Sequence, residues 1–206
     1  MKTLLQINSS LNAKGGQSSL LANSFVAAWQ AAHPGASIKT RNLAADAVPH
    51  LTAERFQAFL TKPEERTSEQ QEVAAYSEAL IDELKSADII VFGLPMYNFS
   101  IPSQLKAYFD HIARAGITFK YTDKGPVGLV TGKKAYVFAT RGGFYAGTPA
   151  DTETPYVSNF LKFLGITDVE FVYAEGLAYG EESKAANLEK ANTAIEQLTT
   201  PEKLAA

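Results

Sequence analysis

The chain has 206 residues, of which 46% are hydrophobic and 20% charged, with a net charge of -3 and no cysteine. That length suits one α/β domain spanning residues 1–206 and is short for two. The missing cysteine excludes disulfides, thiolate metal sites and cysteine nucleophiles, and a mildly acidic chain without a basic stripe has no means of gripping nucleic acid or an anionic membrane.

The first apolar run, residues 3–7, follows a single lysine and is too short for a secretory leader; no later run approaches membrane-spanning length, so a cytoplasmic protein is expected. It reads as a strand, and residues 18–32 follow it as a helix. Further strands are expected at 37–41, 88–94, 134–139 and 169–174. The run Ile89-Ile90-Val91-Phe92 is apolar throughout, as in a central strand covered on both faces. Between these lie helices. Residues 67–85 place Val73, Leu80, Ile81 and Leu84 on one face, and the stretch after Pro102 does the same with Leu105, Tyr108, Phe109 and Ile112. Thr154-Pro155 reads as an N-cap and first helical residue of a helix closing at Gly165, and residues 182–198 form the last helix. Residues 118–133 break the alternation and read as an inserted hairpin, expected over the carboxyl ends of the strands. The whole is a five-stranded parallel sheet with helices on both faces.

In such a sheet the loops after the strands carry function. The first, residues 8–18, is rich in serine, glycine and asparagine and ends at a helix N-terminus, where backbone N–H groups favour a phosphate. It has neither the Gly-x-Gly-x-x-Gly spacing nor a Walker loop, and a serine-rich turn that merely caps a helix accounts for it equally well. The second, Pro95-Met96-Tyr97-Asn98-Phe99, puts large apolar side chains at the exit of the central strand, suited to covering a flat ring or closing the core. In the third, Thr140-Arg141-Gly142-Gly143, paired glycines let backbone N–H groups approach a ligand, while Arg141 either faces an anionic ligand or forms a salt bridge. No metal motif, nucleophile elbow or acid–base pair is present, and His33, His50 and His111 are the only histidines.

These loops, with Ala113-Arg114-Ala115-Gly116 and Leu129-Val130-Thr131-Gly132-Lys133-Lys134, resemble the bacterial FMN-dependent NADH azoreductases nearly end to end. The resemblance implies a flavodoxin-like fold. It implies bound FMN, with NADH or NADPH as co-substrate, and reduction of quinones and azo compounds in a ping-pong cycle whose chemistry the flavin carries. Ser10, Gly16, Gln17 and Ser18 would hold the phosphate, Met96, Tyr97, Asn98 and Phe99 the ring, and Thr140, Arg141, Gly142 and Gly143 its pyrimidine edge. Relatives often carry serine where this chain has Gly16 and Thr140, so Gly16 offers only its backbone. A flavodoxin-type electron carrier is the alternative, but such carriers are smaller and more acidic. On the helix after Thr154, a second apolar stripe of Tyr156, Phe160 and Phe163 lies beside Val157, Leu161 and Leu164, more than one sheet face needs; a dimer interface or a wide core would use it. The resemblance implies a homodimer in which Tyr121 and Phe163 of the facing chain line the substrate pocket.

Overall fold

In chain order the elements are β1 (Thr3–Asn8), α1 (Gln17–Ala32), β2 (Ser37–Asn42), α2 (Ala53–Leu60), a 3-10 turn (Pro63–Glu65), α3 (Ser68–Ser86), β3 (Ile89–Pro95), α4 (Ser103–Ile112), β4 (Phe119–Thr122), β5 (Gly125–Gly128), β6 (Lys134–Thr140), α5 (Glu153–Leu164), β7 (Asp168–Ala174) and α6 (Glu181–Leu198). The computed structural model describes residues 2–12, 15–200 and 203. Five strands form a parallel sheet in the order β2-β1-β3-β6-β7, and β4 and β5 pair as a separate antiparallel hairpin. All five expected parallel strands are present. Strand order reverses between β1 and β3, the place where such sheets take ligands.

Both sides of the sheet are apolar because both are covered. Leu5, Ile7, Ile90, Phe92 and Val137 pack with α3, α4 and α5, while Leu4, Val91, Tyr136 and Phe138 pack with α1 and α6. Each such side chain contributes about 1.5–3 kcal/mol by leaving water. One close approach aims α1 at the switch point. A Cβ on Gly93 would meet Asn8 Oδ1 at 2.8 Å and the Ser18 carbonyl oxygen at 3.1 Å, so only glycine there lets the first turn of α1 rest on β3. Gln6 holds the same junction from β1, its Nε2 donating to Asn8 Oδ1 and Asn23 Oδ1.

Three features differ from the sequence expectation. Helix α2 was not foreseen: it is short and buries only Ala58, leaving Phe56 and Leu60 of its apolar face exposed, and its start is marked by Thr52, whose Oγ1 accepts from the Arg55 N–H. Helix α5 starts earlier than the Thr154-Pro155 pair suggests. The Asp151 carboxylate accepts the Thr154 N–H at 3.0 Å and moves the cap upstream, which leaves the Thr154 hydroxyl for other partners. The hairpin lies at the amino ends of the strands, not the carboxyl ends. It connects α4 back to the start of β6 and docks on the end of α5, where the Val130 N–H donates to the Leu164 carbonyl at 2.8 Å. A Cβ on Gly128 would fall 2.1 Å from the Gly165 nitrogen, so that docking depends on glycine. Among the described residues no helix is long and apolar enough to cross a membrane.

Candidate cofactor-binding site

The loops after β1, β3 and β6 converge at the carboxyl end of the sheet. After β1, Ser9 is fixed to β3, its N–H and its hydroxyl both donating to the Gly93 carbonyl. The Ser10 hydroxyl accepts from the Asn12 N–H at 3.2 Å and lies 3.5 Å from the Tyr97 hydroxyl, which itself accepts the Leu11 N–H at 3.2 Å. Gly16 is the N-cap of α1; a Cβ there would come within 2.1 Å of Ser10 Oγ, and its N–H already donates to the Asn12 carbonyl at 3.1 Å. The N–H groups of Gln17, Ser18 and Ser19 begin the helix, and no described residue accepts from them. Ser18 is fully buried, and among the described residues neither its hydroxyl nor that of Ser19 has a partner. A buried hydroxyl beside N–H groups at a helix start, none with a partner among the described residues and with no acidic side chain in the first turn, is a fitting seat for a phosphate.

After β3 the backbone reverses over four residues, with Tyr97 and Ser100 exchanging hydrogen bonds at 2.9 and 3.0 Å. Asn98 and Phe99 have φ of 50° and 64°, and no other non-glycine described residue has positive φ. A turn of this geometry favours Asn-Gly; phenylalanine in the left-handed region costs about 1–2 kcal/mol. The strain leaves Phe99 56% exposed, touched by the edge of Tyr145 at 5.7 Å. Such strain concentrates at functional sites. Leu11, Met96, Tyr97, Asn98 and Ile101 line a cleft of about 540 Å³ beside this turn.

After β6 the carbonyls of Arg141, Gly142 and Gly143 accept from Leu177, Ala178 and Gly176 N–H groups at 3.0–3.1 Å. No described residue accepts from the N–H groups of Gly142 and Gly143. A Cβ on Gly143 would meet the Tyr145 hydroxyl at 2.8 Å. Of the two readings open for Arg141, its charge takes the salt bridge and not a ligand. Its side chain is fully buried, its three nitrogens bonded to Glu153 Oε2 at 3.3 Å, Glu175 Oε1 at 3.2 Å, and Asp151 Oδ1 and Thr154 Oγ1 at 3.0 and 2.8 Å. Its backbone N–H donates to the Ala174 carbonyl. Sequence reasoning passed over these three carboxylates; their signal was Asp151-x-Glu153 beside Thr154, with Glu175 just past a strand.

Glu153 has no exposed surface, and its second oxygen has no partner among the described residues. Burial outweighs the nearby guanidinium and pushes its carboxyl up to about 8. Asp151 lies low instead, held by the Thr154 N–H and by Arg141 against the opposing effect of burial.

Thr140 is buried at the end of β6, where its carbonyl accepts the Met96 N–H, while Gln17 is half-buried at the start of α1. The structure therefore brings Ser10, Gly16, Gln17, Ser18, residues 96–99 and residues 140–143 to one edge. Tyr121 and Phe163 are elsewhere. Tyr121 is 73% exposed on β4, and Phe163 packs against Phe119 at 4.2 Å near the end of α5, both at the amino end of the same chain's sheet. Phe160 stacks on Phe109 at 4.0 Å, so the second apolar stripe of α5 is partly used inside the chain and remains half-buried.

The family model for the flavodoxin-like fold matches residues 1–199. The FMN-dependent NADH:quinone oxidoreductase of Paraburkholderia phymatum is 58% identical over 195 residues, which cover 95% of this chain and 98% of that protein. A protein of the same name from Cellvibrio japonicus is 55% identical over 185 residues, 90% of this chain and 93% of that one. Among solved structures, an azoreductase from Bacillus anthracis superposes with a TM-score of 0.84 at 31% identity, covering 96% of this chain and all of that one. An FMN-dependent NADH-azoreductase of the same species, in complex with FMN, gives 0.85 at 29% identity over 97% of this chain.

Proposed function

The chain belongs to the flavodoxin-like fold family and to its FMN-dependent NADH:quinone oxidoreductases, and from that premise we propose that it holds FMN at the carboxyl end of its sheet and reduces quinones and azo compounds at the expense of NADH or NADPH. The observation that carries the site is the buried Ser18 hydroxyl among the N–H groups that open α1, all without a partner among the described residues, next to the exposed Phe99 turn. One polar seat sits beside one apolar one.

FMN supplies the hydride-accepting and electron-donating chemistry that no side chain here offers. The chain's own residues bind and orient. The first turn of α1, with Ser10 and Gln17, takes the phosphate; Met96, Tyr97, Asn98 and Phe99 cover the ring; and the Gly142 and Gly143 N–H groups meet its polar edge. Nicotinamide and acceptor use the same open face in turn, which makes the kinetics ping-pong.

The placement of Tyr121 and Phe163 supports a homodimer. Within one chain they lie at the end of the sheet opposite the proposed flavin loops, so they reach a flavin only on a second copy. The half-buried Tyr156, Phe160 and Phe163 stripe gives that copy an apolar surface to cover. A two-fold arrangement places the hairpin of each chain over the loops of the other.

The proposal is tested under oxygen-free conditions by adding NADH to the FMN-loaded protein without acceptor. NADH oxidation stops after one equivalent per flavin, and double-reciprocal plots with a quinone give parallel lines; intersecting lines contradict a shared face.

A further inference from the structure

The buried charges around Arg141 lie behind the two loops proposed to hold the ring, bonded directly to the one after β6 and linked to the one after β3 through a neighbouring residue. From its fully buried position Arg141 joins the end of β6, the start of α5 and the segment after β7. Glu175 Oε1 accepts three donors at once: Arg141 Nη1 at 3.2 Å and the N–H groups of Tyr145 and Ala146 at 2.8 and 2.9 Å. It thereby closes the loop that carries Gly142 and Gly143. On the opposite side of the guanidinium, Asp151 and Glu153 flank Thr152 in sequence, and the Thr152 hydroxyl donates to the Phe99 carbonyl. The strained turn after β3 is thus tied to the same centre through one residue, and Tyr145 touches Phe99 as well.

We propose that Arg141 is a positioning residue for the flavin, locking the Gly142–Gly143 loop and the Phe99 turn at a fixed distance from each other through Glu175, Asp151, Glu153 and Thr152. The inference rests on FMN lying at this edge. Its physical basis is the guanidinium's geometry: a planar fork serves three carboxylates and a hydroxyl in fixed directions, which a lysine ammonium in the same place does not. Packing alone would have met that need with apolar side chains at lower desolvation cost. With Arg141 in place, the N–H groups that meet the ring's polar edge and the side chains that cover its face are set before FMN arrives, so less ordering is left for binding. Donors fixed at that edge stabilise negative charge on the reduced ring more than they stabilise the neutral oxidised ring.

The test compares the native chain with Arg141→Lys and Thr152→Val, each purified and loaded with FMN. The readouts are the FMN dissociation constant, the midpoint potential of the bound flavin and the melting temperature of the FMN-free protein. The native chain binds FMN; if it does not, the cofactor reading fails and this inference goes with it. In Arg141→Lys, FMN affinity falls about tenfold, the equivalent of one charge-assisted hydrogen bond, and the midpoint potential moves negative. Thr152→Val, at an exposed position, keeps the melting temperature of the FMN-free protein and shifts the potential in the same direction by less. If Arg141→Lys does not fold, Thr152→Val decides alone. A folded Thr152→Val with native FMN affinity and native potential overturns the proposal, because an Arg141 that only holds the fold together would leave both unchanged.

Discussion

The two ends of the sheet are built from the same strands and differ in what the backbone leaves over. At the amino end the groups pair among themselves: the hairpin closes on its own register, Val130 bonds to the end of α5, and Phe119 packs on Phe163. At the carboxyl end, N–H groups of α1 and of Gly142–Gly143 have no partner among the described residues, Ser18 has a buried hydroxyl without one, and two non-glycine residues have positive φ. Unsatisfied groups and strain destabilise a fold by a few kcal/mol unless a ligand compensates. Yet each end exposes an aromatic, Tyr121 at one and Phe99 at the other. This contrast is what supports the proposal of a cofactor at the carboxyl end and a neighbouring chain at the amino end.

The contrast breaks most sharply at the phosphate seat. Gln17→Glu places a carboxylate at the start of α1 at a half-buried position, and repulsion from the phosphate lowers FMN affinity by about 100-fold. The same charge suits the helix N-terminus, so the FMN-free protein keeps its melting temperature or gains a few tenths of a kcal/mol. Fluorescence titration and thermal melting read the two effects separately.

A second test separates the buried charges from the open loops. Because Glu153 is pushed up to about 8 from an ordinary value of 4.5, the folded chain keeps a proton that the unfolded chain has lost between those pH values. Its contribution therefore turns against the fold as pH rises through that window. Glu153→Gln removes the titration. Relative to the native chain, denaturant unfolding should show the variant gaining about 3–4 kcal/mol between pH 5 and pH 8. An unchanged difference across that range would place an ionised Glu153 beside Arg141. The smallest effect is at the strained turn: Phe99→Gly relieves the left-handed conformation and stabilises the FMN-free protein by about 1 kcal/mol, while the lost ring contact weakens FMN binding severalfold.

What the sequence disclosed follows the same division. The central strands β1, β3 and β6 were legible because both faces are buried, and α3 and α4 because one face of each is; the edge strands β2 and β7, largely exposed or half-buried, were legible from their β-rich runs and their place in the alternation with helices. Helix α2 was not read, although Phe56, Phe59 and Leu60 stand at helical spacing, because it is only eight residues long and buries little beyond Ala58. The converging loops were readable as a set of glycines, hydroxyls and aromatics after strands. The direction in which Arg141 points was not readable, because its partners Asp151, Glu153 and Glu175 come from two later segments that only the folded chain brings together. The hairpin was recognised as an insertion and assigned to the wrong end of the sheet. Its sequence reports its turn, whereas its location follows from connecting a helix to the beginning of a strand.

The claim that one chain's carboxyl end is completed by another chain's amino end is tested most directly by mixed dimers. Gln17→Glu chains, stripped of their weakly held FMN, are refolded with chains carrying both Tyr121→Ala and Phe163→Ala, which retain FMN and bind acceptor poorly. In the mixed dimer one pocket combines an intact flavin site with an intact Tyr121 and Phe163 from its partner, so quinone reduction reappears with a native KM at that pocket. Mixed dimers that form and hold FMN but show only the weak acceptor binding of the double variant would contradict the account.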